Sequence, residues 1–194
     1  MKNRLYRAAG LVTAMLLPGL TILPARADHP AGTVNFTGEM LGATTCTLEN
    51  HSLTADFGTI NVDRKGGIPA NPLTSGRTVA FRFTGCATNI QKVKMTVDFD
   101  SVPGDDSLIF NEGSAGNVAG VLTCPAEAPA QGVNCTAGDR FSTGKTVSGT
   151  VTNGGVSFPL EVSLVSFDGF NPSSPHMPDA GSINMTVRFT FEEE

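Results

Sequence analysis

Tryptophan is absent from the sequence, and its sole tyrosine, Tyr6, lies in a leader segment. Sugar-stacking platforms usually come from those two rings, which join an apolar face to a polar handle. A lectin that works by stacking, the carbohydrate-binding β-sandwich adhesin alternative, is therefore disfavoured. No HExxH, GxSxG or phosphate-cradling glycine loop occurs, so no enzymatic constellation is expected. The short CxxC pairs of zinc sites are missing as well. His29, His51 and His176 stand far apart in polar stretches and lack metal-ligand spacing. Asp98, Asp100, Asp105 and Asp106 gather in "DFDSVPGDD", without the spacing or the glutamate of an EF-hand loop. That stretch reads as a polar hairpin turn. No metal and no cofactor is expected.

Long hydrophobic runs are also scarce. The single one, residues 8–23, follows Lys2, Arg4 and Arg7 and precedes the small-x-small stretch Ala25, Arg26, Ala27. It is short and carries Pro18 and Gly19 in its middle, which argues against a membrane span. Residues 1–27 read as a cleaved signal peptide, with Asp28 as the new N-terminus. Its removal takes four of the 13 basic residues and none of the 18 acidic ones, leaving a net charge of −9. Such a chain lacks the basic footprint that nucleic acid demands, and it does not suit an anionic membrane surface. The length left suits a single domain with a real core.

An exported chain with an even set of cysteines defaults to oxidation. Cys46, Cys86, Cys124 and Cys135 allow three pairings, of which 46–86 with 124–135 is the simplest. In the chain-entropy picture each such bridge contributes roughly 3 to 4 kcal/mol.

What the mature sequence does hold, nearly throughout, is period-two alternation, the signature of strands with one buried face. Val79, Phe81 and Phe83 share one parity, as do Val93, Met95, Val97 and Phe99. Val156, Phe158, Leu160, Val162 and Leu164 form a longer run, and Leu53, Ala55 and Phe57 a shorter one. Near the C-terminus Ile183, Met185, Val187, Phe189 and Phe191 place five large apolar residues on one face. That strand must face the core and have neighbours, because as an uncovered edge it would invite aggregation. The breaks, such as "RKGGIPANP", "SVPGDD", "TNGG" and "NPSSPHMPDAG", are rich in turn residues. No mature segment sustains a 3.6-residue period. The pattern predicts an all-β, antiparallel β-sandwich.

"GTVNFTGEM", residues 32–40, alternates in the same way close to the expected mature N-terminus. "GTVNFTGEMLGATTC" resembles the N-terminal arm and first strand of chaperone–usher pilins of the type 1 fimbrial kind. "LTADFGTINV", "VAFRFTGC", "SAGNVAGVL" and "FPLEVSLVSF…DAGSINMTVRFTF" are similar, in order, to later strands of that family, and the Cys46–Cys86 spacing fits its disulfide.

The resemblance implies an incomplete immunoglobulin-like sandwich, lacking its last strand and completed by a donor strand from a neighbouring subunit. It implies a donor-strand arm at 28–40 and a pilin domain at 41–194, with the arm giving way to the first strand near residues 38–41. Under it, the arm does not pair within its own subunit. Gly32, Val34, Phe36 and Gly38 are the donor residues. Ile183, Met185, Val187, Phe189 and Phe191 line the acceptor groove and the chaperone-contacting C-terminal strand. The implied partners are identical or related subunits in a head-to-tail polymer, a periplasmic chaperone and an outer-membrane usher, with a fimbrial, cell-surface location. A major shaft subunit is favoured over a minor or adaptor one.

Two features depart from the family. Glu193, in an acidic tail, stands where many subunits have a penultimate tyrosine, and the tail would face the chaperone's basic cleft. Cys124 and Cys135 are not a general family feature and would staple a surface loop.

Overall fold

The computed structural model describes residues 31–42, 45–60, 72–167 and 178–194. The leader at 1–27, His29, His176 and most of the "RKGGIPANP" and "NPSSPHMPDAG" segments lie outside the described residues.

Alternating residues place their side chains on opposite faces of a strand, and two sheets pressed apolar face to apolar face follow from that pattern here. One sheet has the order β3 (Ser52–Thr59), β1 (Ala31–Met40), β11 (Ser182–Glu193), β5 (Lys92–Phe99), β9 (Thr146–Thr150). The other runs β2 (Thr47–Leu48), β4 (Arg77–Thr84), β10 (Val156–Ser166), β8 (Val118–Thr123), β7 (Asp105–Phe110), β6 (Ser101–Val102). The only helical element among the described residues is a 3₁₀ turn, Pro129–Gln131. The architecture is the two-sheet sandwich that the alternation predicts.

The core lies between the sheets. Val93, Met95, Val97 and Phe99 of β5 are buried, as are Val156, Phe158, Leu160, Val162 and Leu164 of β10. All five apolar residues of β11 are buried too, and β11 is the central strand of its sheet. "TNGG" closes a hairpin between β9 and β10, with Asn153 and Gly154 both at positive φ (54° and 72°). A type I′ turn requires that of both central residues. Strand β8 departs from alternation and is buried on both faces, because Val102, Leu108, Ala119, Val121 and Val165 form a second small cluster. Both cysteine pairs are bonded, Cys46 to Cys86 and Cys124 to Cys135.

Residues 31–40 are a single continuous strand that ends at Met40, and in this single chain it pairs within the chain. It runs parallel to β11 on one side and antiparallel to β3 on the other. The physical reason is that β3 and β11 would otherwise face each other across a gap, each with a row of unpaired N–H and C=O groups and an apolar face in water. The nearest segment of matching parity is the chain's own N-terminal one. In this single chain the sandwich is closed by that strand.

Candidate functional site

The site is the slot between β3 and β11, with β1 in it. The parallel register sets Gly32 against Ile183, Val34 against Met185, Phe36 against Val187, Gly38 against Phe189 and Met40 against Phe191. The sequence-assigned donor and groove residues are therefore all brought together, within one chain. Val34 and Phe36 are fully buried, while Thr37 and Glu39 are exposed on the other face. Burying the two side chains contributes roughly 1.5 to 3 kcal/mol each.

The two glycines mark where the slot is tight. A Cβ on Gly32 would overlap the side chain and carbonyl oxygen of Ile183. A Cβ on Gly38 would stand 2.8 Å from Cε2 of Phe191 and 2.9 Å from Cε1 of Phe81. Both positions admit hydrogen and little else, the usual reason for glycine where another backbone or a ring comes close.

Phe36 ends a chain of aromatic rings that crosses the core. Its centroid is 6.1 Å from that of Phe189, which is 5.0 Å from Phe81. Phe81 lies 5.3 Å from Phe191, and Phe191 lies 4.8 Å from Phe83. The slot thus has a floor shared between the two sheets, formed by β4 and β11.

Each end of the slot is held by a polar group that sequence reading did not single out for that role. At the Gly32 end, β5 does not reach the first half of β11, since it pairs only with Val187 to Glu193. The loop after β7 takes its place: Glu112 N–H donates to Asn184 O (2.9 Å) and Ala115 N–H to Ser182 O (2.9 Å). The buried amide of Asn111 fixes that loop. Its Oδ1 accepts from Asn184 N–H (2.9 Å) and Gly113 N–H (3.0 Å), and its Nδ2 donates to Ala115 O (2.8 Å). A buried side chain with donor and acceptor both satisfied is a rigid spacer. A lone asparagine in a turn-rich stretch carries no sequence signal for this.

At the Met40 end, the carboxylate of Glu193 accepts the N–H groups of Thr45 (2.7 Å) and Cys46 and the hydroxyl of Thr45 (3.2 Å). Thr45 Oγ1 in turn accepts from Ala87 N–H (3.1 Å), next to the Cys46–Cys86 bridge. Leu41 N–H donates to Phe191 O (2.9 Å). The short connection between β1 and the disulfide is therefore tied to the last strand. The rest of the acidic tail also has partners in its own chain. Lys94 Nζ lies 3.1 Å from Glu192 and 3.9 Å from Glu194, and the Glu194 backbone pairs with Lys92.

The other sequence candidates are scattered. His51 is exposed. Asp98 accepts from the Thr143 hydroxyl (3.1 Å) and faces Arg188 at 3.8 Å, whereas Asp105 accepts from Ser107 and Asp106 from Ser142. Among the described residues no three metal-binding side chains converge, and no helix is long and apolar enough to cross a membrane.

No protein-family profile and no curated protein sequence matches this chain. Solved structures do. The P pilus rod subunit PapA superimposes with a TM-score of 0.51 at 13% identity, over 77% of this chain and 91% of PapA. The CupB6 tip adhesin of Pseudomonas aeruginosa gives 0.49 at 12% identity, over 88% of this chain but 39% of the adhesin. A subunit from a chaperone–usher pilus gives 0.43 at 11% identity, over 70% of this chain and 87% of that one. The likeness to PapA establishes a shared fold: this chain has the all-β, immunoglobulin-like architecture of a pilus rod subunit.

Proposed function

We propose that this chain is a structural, non-catalytic subunit of a surface fimbrium that polymerises by exchanging β1. The observation that carries the reading is the identity of the closing strand. It is N-terminal, it is joined to the domain by a short tether, and its contacts are confined to a slot that another copy's β1 would fit equally well. Swapping an identical element between protomers is a low-cost route to association, and head-to-tail use of two different surfaces yields an open filament. Strand addition to an open sheet edge, as chaperones and pilins practise it, is the precedent for such recognition.

The parallel sense of β1 fits this reading. The tether fixes Met40 beside Phe191 and so forces β1 to run with β11. A strand donated by another copy has no such constraint and is free to enter in either sense; reversed, it would pair antiparallel with β11 and parallel with β3, so the slot is closed by one ladder of each kind either way. Exchange then replaces one closed state by another, with the apolar slot open to water only between release of the resident strand and entry of the next. A periplasmic chaperone and an outer-membrane usher are the partners such a route calls for, and a major shaft role is preferred to a minor or adaptor one.

Deleting residues 28–38 tests the proposal. Export of the truncated subunit is followed by immunoblot and filaments by electron microscopy. The expected result is export without filaments; filaments of normal length from the deleted chain would overturn the assignment.

A further inference from the structure

The strand-exchange reading leaves the Cys124–Cys135 bridge unused, and it is the bridge that frames a second site. An open surface cavity of about 320 Å³ is lined by the exposed residues Asn134, Thr136, Asp139, Arg140, Lys145 and Thr146, together with Cys135 and Phe141. We propose that this cavity binds a small carboxylated, hydroxyl-rich ligand of the acidic monosaccharide class.

Its three walls are separately pinned. Asn134 N–H donates to Ser148 O (2.8 Å), and the disulfide ties Cys135 to the end of β8. Opposite, Cys124 N–H donates to Asp139 O (2.9 Å), Phe141 N–H donates to Leu122 O (2.9 Å), and the Phe141 ring is buried beneath. The third wall is held by Val97 N–H donating to Lys145 O (2.9 Å) at the start of β9. The backbone of this frame is formed before any ligand arrives, while the exposed side chains of Asn134, Thr136, Asp139, Arg140, Lys145 and Thr146 would be ordered on binding.

The chemistry of the lining points to the ligand. Among the described residues neither Arg140 nor Lys145 has an ion-pair partner, in a chain whose acidic residues outnumber its basic ones. A guanidinium presents a planar fork that matches a carboxylate, and an ammonium adds a second charge. Asn134, Thr136 and Thr146 offer amide and hydroxyl groups for ligand hydroxyls, and the exposed carboxylate of Asp139 is an acceptor for hydroxyl donors. Asp139 repels sulfate and a ligand carboxylate alike, but only a hydroxyl-bearing ligand can offset that repulsion by donating hydrogen bonds to it. The volume is at the lower end of small-molecule sites, roughly 300 to 1,000 Å³, and suits one sugar ring. Recognition through charge and hydroxyl groups needs no stacking ring, so the lack of Trp and Tyr does not count against it.

Titration of the full-length mature chain, both disulfides intact, with sodium glucuronate, glucose and sodium sulfate tests the proposal by amide chemical shifts. Saturable shifts at Asn134, Thr136 and Lys145 are expected with glucuronate near or below 1 mM, a weak-ligand affinity of about −4 kcal/mol. Glucose should bind at least about tenfold more weakly, a difference near 1.4 kcal/mol. Arg140→Gln and Lys145→Gln should each weaken glucuronate severalfold while leaving the urea midpoint unchanged, since both side chains are exposed. Asp139→Asn separates the two kinds of ligand: it should weaken glucuronate and strengthen sulfate. Absence of saturable shifts, sulfate binding as tightly as glucuronate, or wild-type affinity in both cation variants would each overturn the assignment.

Discussion

Phe36→Ala isolates the strand that closes the slot. The ring is fully buried, faces Phe189 at 6.1 Å between centroids, and ends the aromatic chain through Phe81 and Phe191. Its neighbours belong to both sheets and are themselves fully buried, so they cannot collapse into the space without shifting strands. Truncation of such a phenylalanine costs about 3 to 5 kcal/mol, against a typical total of about 5 to 15 for a domain. In a chain of this size that corresponds to a fall in melting temperature of roughly 6 to 20 °C. The assay is urea and thermal unfolding of the monomer at low concentration, where no second copy contributes a strand. A synthetic peptide with the wild-type sequence of residues 31–40, added in excess, should recover part of the loss. If Phe36→Ala costs under about 1 kcal/mol, a value typical of an exposed site, β1 does not occupy the slot in solution and the reasoning fails.

Two further substitutions probe the ends of the slot. Gly32→Val puts a branched side chain where even a Cβ would overlap Ile183; faster amide exchange should appear at Thr33 to Asn35, with Val93 to Phe99 unaffected. Uniform protection as in the wild type would refute the close approach. Glu193→Gln preserves shape but removes the charge that accepts from Thr45 and Cys46. A loss of about 1 to 3 kcal/mol is expected, along with faster uptake of a labelled 31–40 peptide; an unchanged uptake rate would show that the clasp does not control release of β1.

Much of this was legible in the sequence because parity is a local property. The alternation of Ile183 to Phe191 states which face is buried, and the glycines at 32 and 38 state where that face is crowded. Parity does not state which molecule supplies the neighbouring strand. In this single chain "GTVNFTGEM" is held beside β11 by contacts remote in sequence, such as Leu41 N–H to Phe191 O (2.9 Å). The Glu193 clasp was hidden for a related reason: its acceptor joins Thr45 and Cys46 across a sequence separation of 148 and 147 residues. Asn111 was hidden because one amide joins a neighbouring backbone group, Gly113, to a remote one, Asn184. The burial of β8 on both faces arises from a cluster that five separate residues assemble only after the sheet exists.

A slot that arrives already filled also alters the order of growth kinetics. Under the proposed exchange, elongation would have to wait for a resident segment to let go, a first-order event that neither crowding nor a higher subunit concentration hastens. Addition by that route should therefore level off as supply rises, and free subunits, with their slot filled, should stay in solution without precipitating. Whatever opens the Glu193 clasp and lifts β1 would act as the throttle on fibre length.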